Sequence, residues 1–158
     1  MMSAQLHPVI VALVVDGPLT ASVERAALAG QVCSTAREAP GAMSPGCVGA
    51  TVRFEGIVRG SEPAPAEGGA NRDLQALDYQ TYDPMAERQL RELAREMAAK
   101  HGLGSLIVLH SRGRVGVGEV SFVLIVKSPH RAEALAAMAE FIDRLKQDVP
   151  IWKRPVWA

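Results

Sequence analysis

The chain has 158 residues, with 17 Lys plus Arg balanced by 17 Asp plus Glu, 48% hydrophobic residues and 4% aromatic ones. That length holds one domain with a real core and is short for two, and the composition excludes a chain disordered throughout. The charge balance excludes a global field that would gather nucleic acid or an anionic membrane, so any basic site has to be local.

The first element is VIVALVV, Val9 to Val15, a β-branched run that meets the breakers Asp16-Gly17-Pro18 and reads as a strand. It is too short to span a bilayer and no basic residues precede it, so a cytoplasmic protein is the expectation. ASVERAALA follows as a helix, capped by Thr20 or Ser22 and stopped at Gly30. Cys33 and Cys47 fall in stretches that read as loops, and neither has a second Cys or His at metal-ligand spacing. No metal is expected, and two inert thiols in a reducing compartment are favoured over a nucleophile.

GATVRFEGIVRG, Gly49 to Gly60, alternates as a strand with Val52, Phe54 and either Ile57 or Val58 inward and a bulge at Gly56. The following SEPAPAEGGANRD has almost nothing to bury and predicts a mobile loop over about residues 60–72. LQALDYQTY resumes extended structure. Asp83-Pro84 then predicts a capped helix start, and Met85, Leu90, Leu93 and Met97 form its apolar stripe up to a stop at Gly102.

SLIVLH and SFVLIVK read as strands covered by helices, with SRGRVGVGEV as the turn between them. GRVGVGEV is not a nucleotide loop, because its spacing is wrong and a strand follows it. Ser128-Pro129 starts the last helix, whose stripe is Leu135, Met138, Ile142 and Leu145, and Val149-Pro150 ends it. The order β-α-β-β-α-β-β-α predicts an α+β fold with helices packed on a mostly antiparallel sheet. Glu55, Asp78 and Asp83 are isolated, which argues against an acid/base pair, and His7, His101 and His110 read as packing or exposed residues.

Cations gather at three places: Arg59 at a strand end, SPHR (Ser128 to Arg131) at a helix start, and KQDVPIWKR at that helix's end. The unsatisfied N–H groups beside His130 and Arg131 suit a phosphate or carboxylate, although taken alone the pattern fits a capped helix with solvated side chains better. Lys146 sits at the edge of the buried stripe, which predicts a half-desolvated ammonium. Beyond Pro150, Trp152 as a wedge would aim Lys153 back at Lys146; equally, Lys146 snorkels and Lys153 decorates a tail.

GATVRFEGIVRG, LDYQTYDPMAERQL, GRVGVGEVSFVLIVKSPHR and KQDVPIWKR, in that order and spacing, resemble the large, catalytic subunit of molybdopterin synthase along roughly residues 49–154. The resemblance implies a single α/β hammerhead-type domain over 1–158 that inserts two sulfurs into cyclic pyranopterin monophosphate to make a dithiolene. It implies a small ubiquitin-like partner whose C-terminal thiocarboxylate supplies the sulfur, a second copy of the chain at the centre of the assembly, and no bound cofactor. Carried over, Lys146 and Lys153 fall on catalytic positions, and Arg59, His130, Arg131 and Arg154 on substrate-binding ones. Arginine gives forked recognition of an anionic substrate, and the lysines would stabilise developing negative charge.

His130 and Lys146 are sixteen residues apart, so on one helix they lie about 24 Å apart and face directions roughly 160° different. If both serve one site, His130 and Arg131 must come from the neighbouring copy. Pro155 stands where the family usually has a glutamate, and relatives continue past the position of Ala158 with a segment that helps finish the site. These departures motivate the alternative of a noncatalytic anion-binding or scaffold module that holds the ubiquitin-like partner.

Overall fold

The computed structural model of the chain describes residues 8–35 and 46–158. Its elements are β1 (Val9–Asp16), α1 (Ala21–Thr35), β2 (Ala50–Ile57), β3 (Ser61–Pro63), a 3-10 turn (Pro65–Glu67), β4 (Asn71–Thr81), α2 (Met85–Lys100), β5 (Ser105–Gly116), β6 (Val120–Ser128), α3 (Arg131–Asp148) and β7 (Ile151–Trp157). The sheet runs β2-β6-β5-β4-β3, with β1 added beside β5 and β7 beside β4. Its pairings are antiparallel except for β1 with β5, as the mostly antiparallel α+β expectation requires.

β5 organises the molecule. Its first part, Ser105 to His110, pairs with β6 on one side while β1 runs along the other; its last four residues, Gly113 to Gly116, pair with β4 instead. The chain is thereby handed from one sheet segment to another, and the gap at the handover is where the cavity described below opens. Leu106 and Val108 of β5 and Phe122, Leu124 and Val126 of β6 bury one face against Leu90, Leu93 and Met97 of α2 and Met138, Phe141 and Leu145 of α3. Leu109 and Val123 bury the other face against Leu19, with Val23 and Ala27 of α1 packed alongside. Coverage on both faces is the reason these strands read as continuous apolar runs.

Several local expectations change. α1 runs past Gly30 to Thr35, so Cys33 lies on a helix and not in a loop, while Cys47 is exposed in a turn; most of the REAPGAMSPG stretch falls outside the described residues. The segment expected as a loop over 60–72 carries β3, which forms a hairpin with the start of β4. β5 continues through SRGRVG, leaving only 117–119 as the turn.

Asp83 does not cap α2: its carboxylate pairs with Arg112, and Pro84 occupies the cap position. α3 begins at Arg131, with Ser128 donating its hydroxyl proton to the His130 carbonyl. Its stripe is Ala134, Ala137, Met138, Phe141 and Leu145, leaving Leu135 54% exposed. Full burial of a large apolar side chain is worth about 1.5–3 kcal/mol, so Phe141, wholly buried, sets the rotation of the helix at Leu135's expense.

The tail after Pro150 is a strand and not a wedge. β7 pairs with β4, and Trp152 is 57% exposed. As an edge strand it tolerates Pro155, whose missing N–H removes no bond from a central ladder. The expected bulge at Gly56 is present as a register shift between Gly56 and Ile57. Among the described residues no helix is long and apolar enough to cross a membrane, and no cluster of three or more His, Cys, Asp or Glu is placed to hold a metal.

Candidate active site

At the handover in β5 lies a cavity of about 350 Å³. Its base is Phe54, Tyr79, His110 and Phe122, its roof is Ile142, Leu145 and Lys146 from the last turns of α3, and β7 closes its side with Ile151 and Lys153. The helix end brings Lys146 to this spot and the strand pairing brings Lys153. In the β4–β7 ladder Lys153 stands directly opposite Tyr79, so both project on one face of the sheet.

The base is held by paired polar groups. Tyr79 donates its hydroxyl proton to Ser121 Oγ at 2.9 Å, and Ser121 in turn donates to the Gly56 carbonyl at 3.2 Å. His110 occupies the next inward position of β5 after Leu106 and Val108 and packs edge-on against Tyr79, with ring centroids 5.3 Å apart. Its Nδ1 lies 2.8 Å from the Ser111 carbonyl. A carbonyl only accepts, so Nδ1 carries the proton and the neutral ring leaves Nε2 as an acceptor. Burial disfavours the imidazolium and pushes the His110 pKa below its usual value.

The mouth is cationic. Lys146 is exposed, not half-desolvated, and makes no ion pair among the described residues. Lys153 Nζ donates to Glu62 Oε2 at 3.0 Å, and Arg59 Nη2 donates to Glu62 Oε1 at 2.9 Å. Burial pushes the Glu62 carboxyl up, but the bonds from Lys153 and Arg59 outweigh it and hold the group below the usual range. Arg59, Lys146 and Lys153 are therefore gathered at one end of the molecule.

His130 and Arg131 are not part of that gathering. They are exposed at the opposite end of the 18-residue α3, about 24 Å along its axis from Lys146. Arg154, opposite Asp78, points to the other face of the sheet from Lys153. Tyr79, Ser121 and Glu62 were not singled out from the sequence, and His110 was read only as a packing or exposed residue. Tyr79 and Ser121 are 42 positions apart and Glu62 and Lys153 are 91 apart, so no local spacing connects them. The one available signal was the polar His110 following LIVL, at the end of an otherwise apolar strand.

A family model described as MoaE protein matches residues 29–148. Molybdopterin synthase catalytic subunits of Nostoc sp. and Oryza sativa subsp. indica are 36% and 40% identical, each over 69% of this chain, and the one of Thermoplasma volcanium is 39% identical over 68%. The aligned part spans 62%, 53% and 74% of those proteins, so the chain matches little more than half the length of the first two. Among solved structures, molybdopterin synthase from Staphylococcus aureus superposes with a TM-score of 0.65 at 27% identity, covering 96% of this chain and 92% of that one. A complex of subunits 1 and 2 of the molybdopterin-converting factor from Helicobacter pylori shares the fold, with a TM-score of 0.61, 22% identity and coverage of 94% and 89%. Matched by the family model over most of its length, and by a relative 39% identical to it over 74% of that relative's own length, the chain belongs to the MoaE protein family.

Proposed function

We propose that this chain is the catalytic subunit of a molybdopterin synthase, transferring sulfur from the C-terminal thiocarboxylate of a small ubiquitin-like partner to cyclic pyranopterin monophosphate. The observation that carries this reading is the cavity of about 350 Å³ with Lys146 and Lys153 on its walls and an aromatic, uncharged base. A thiocarboxylate is an anion on a slender peptide tail, which such a mouth would attract and such a base would desolvate. Attack by its sulfur on a substrate carbon forms a C–S bond as that carbon's C–O bond breaks and the oxygen group leaves; water then cleaves the acyl C–S bond of the resulting thioester, releasing a carboxylate and leaving a thiol on the product. Lys146, exposed and unpaired among the described residues, would stabilise the negative charge that develops in the attack and in the hydrolysis, with Lys153 holding the tail.

Arg59 lies beside Lys153 through their shared contact with Glu62, and would bind the substrate phosphate. His130, Arg131 and Arg154 would complete that recognition, His130 and Arg131 from a second copy of the chain, because a continuous α3 keeps them from Lys146 within one chain. The exposed free Cys47 fits a reducing, cytoplasmic setting.

The test mixes the chain with a thiocarboxylated small subunit and the pyranopterin precursor and measures the dithiolene product. Product is expected, and Lys146→Ala should lower its rate by about 10²–10³-fold, the cost of losing one donor to a developing oxyanion. Complex formation without product would instead identify a noncatalytic module that holds the partner.

A further inference from the structure

β3 lies in a stretch whose composition gives it nothing to bury, yet its Glu62 side chain is only 14% exposed and each oxygen accepts from a different cation. One cation is Arg59, three residues earlier; the other is Lys153, on β7 at the far edge of β4. Lys153 is 52% exposed on a flexible four-carbon stem, so without a partner its ammonium would sample much of the cavity mouth. Among the described residues Lys146 has no such partner, which makes the restraint specific to one of the two lysines.

We infer that Glu62 is a positioning residue: from the β3–β4 hairpin it fixes the Lys153 ammonium at the cavity mouth and sets Arg59 beside it. An arriving anion then meets a fixed pair of cations with a net charge of one, already ordered, and does not have to immobilise two flexible side chains itself. The geometry stands on the structure alone; its kinetic consequence rests on the sulfur-transfer reading.

Two measurements separate these levels. In the free chain, lysines are acetylated with a soluble activated ester and read by mass spectrometry, with Lys146 as the internal reference. Lys153 should react several-fold more slowly than Lys146, Glu62→Gln should bring the ratio close to one, and Glu62→Asp, which keeps the charge, should retain much of the protection. A ratio unaffected by Glu62→Gln overturns the inference whatever the activity. In the assembled enzyme, Glu62→Gln should lower kcat ten- to a hundredfold, on the scale of an ångström-level misplacement, with KM changed less than threefold and Glu62→Asp restoring much of the rate. A lower KM at unchanged kcat would make Glu62 a competitor of the substrate, and a lower melting temperature with both constants unchanged would make it merely structural; either result overturns the inference. If the unaltered chain yields no dithiolene, the sulfur-transfer reading fails and the labelling result still decides the geometry.

Discussion

His110 is a polar residue at a core position, one strand residue beyond Leu106 and Val108 in the inward series and level with Phe122 on β6. Burial keeps it neutral in the folded chain, whereas an unfolded chain takes up a proton near the ordinary value of about 6.5. The folded state refuses a proton that the unfolded state accepts, so this contribution is intact above about pH 6.5 and is lost as the pH falls below it. Urea unfolding between pH 7.5 and 5.5 should show stability falling on the acid side, by up to about 1.4 kcal/mol per pH unit from this residue. In His110→Asn, whose amide can replace the Nδ1 donor but does not titrate, that part of the slope should vanish. An identical slope in the variant would mean that the ring is protonated inside the fold. Glu62 adds a second acid-side loss at lower pH, since a carboxyl held below its usual range contributes stability that disappears as it is protonated.

The start of α3 shows how an element is held without a side-chain cap. Gly49, just before β2, donates its N–H to the Ser128 carbonyl, and a β-carbon placed there would lie 2.1 Å from the carbonyl oxygen of Pro129. Because the obstacle is backbone, Gly49→Ala has to push the 128–130 turn away, and a loss of about 1–3 kcal/mol in denaturant unfolding is expected, as for overpacking a tight core. A variant as stable as the parent would show that the turn yields freely.

The elements that were legible in the sequence carry their own signals: the stripe of α2, stopped at Gly102 with φ at +61°, and the apolar runs of β5 and β6. Those that were not legible depend on partners remote in sequence. β3 exists because Asn71 to Asp73 offer it a ladder, and β7 because β4 has a free edge; neither SEP nor IWKRPVW announces a strand. The site followed the same division. Lys146 and Lys153 were named from their positions and from the resemblance, but the turn expected to aim Lys153 is a strand pairing that sets it opposite Tyr79, while Ser121 is reached through the Tyr79 hydroxyl and Glu62 through the Lys153 ammonium.

At the level of the whole molecule, α3 separates two groups of cations that the proposed reaction would use together. A mixed dimer of a Lys146→Ala chain with a His130→Ala chain should therefore recover activity by rebuilding one intact site, while either variant alone keeps only its own reduced rate. A mixture no faster than either variant alone would confine each site to a single chain. The parallel pairing of β1 with β5 has a different consequence, one that concerns synthesis. Asp16 and its register partner Arg112 are 96 positions apart, so the apolar VIVALVV emerges from the ribosome long before the strand that receives it. At about 5–20 residues per second, that segment waits roughly 5–20 s with its strand edges unpaired. The most apolar strand of the fold is thus also its longest-exposed nascent segment, and the one most in need of a chaperone's shelter.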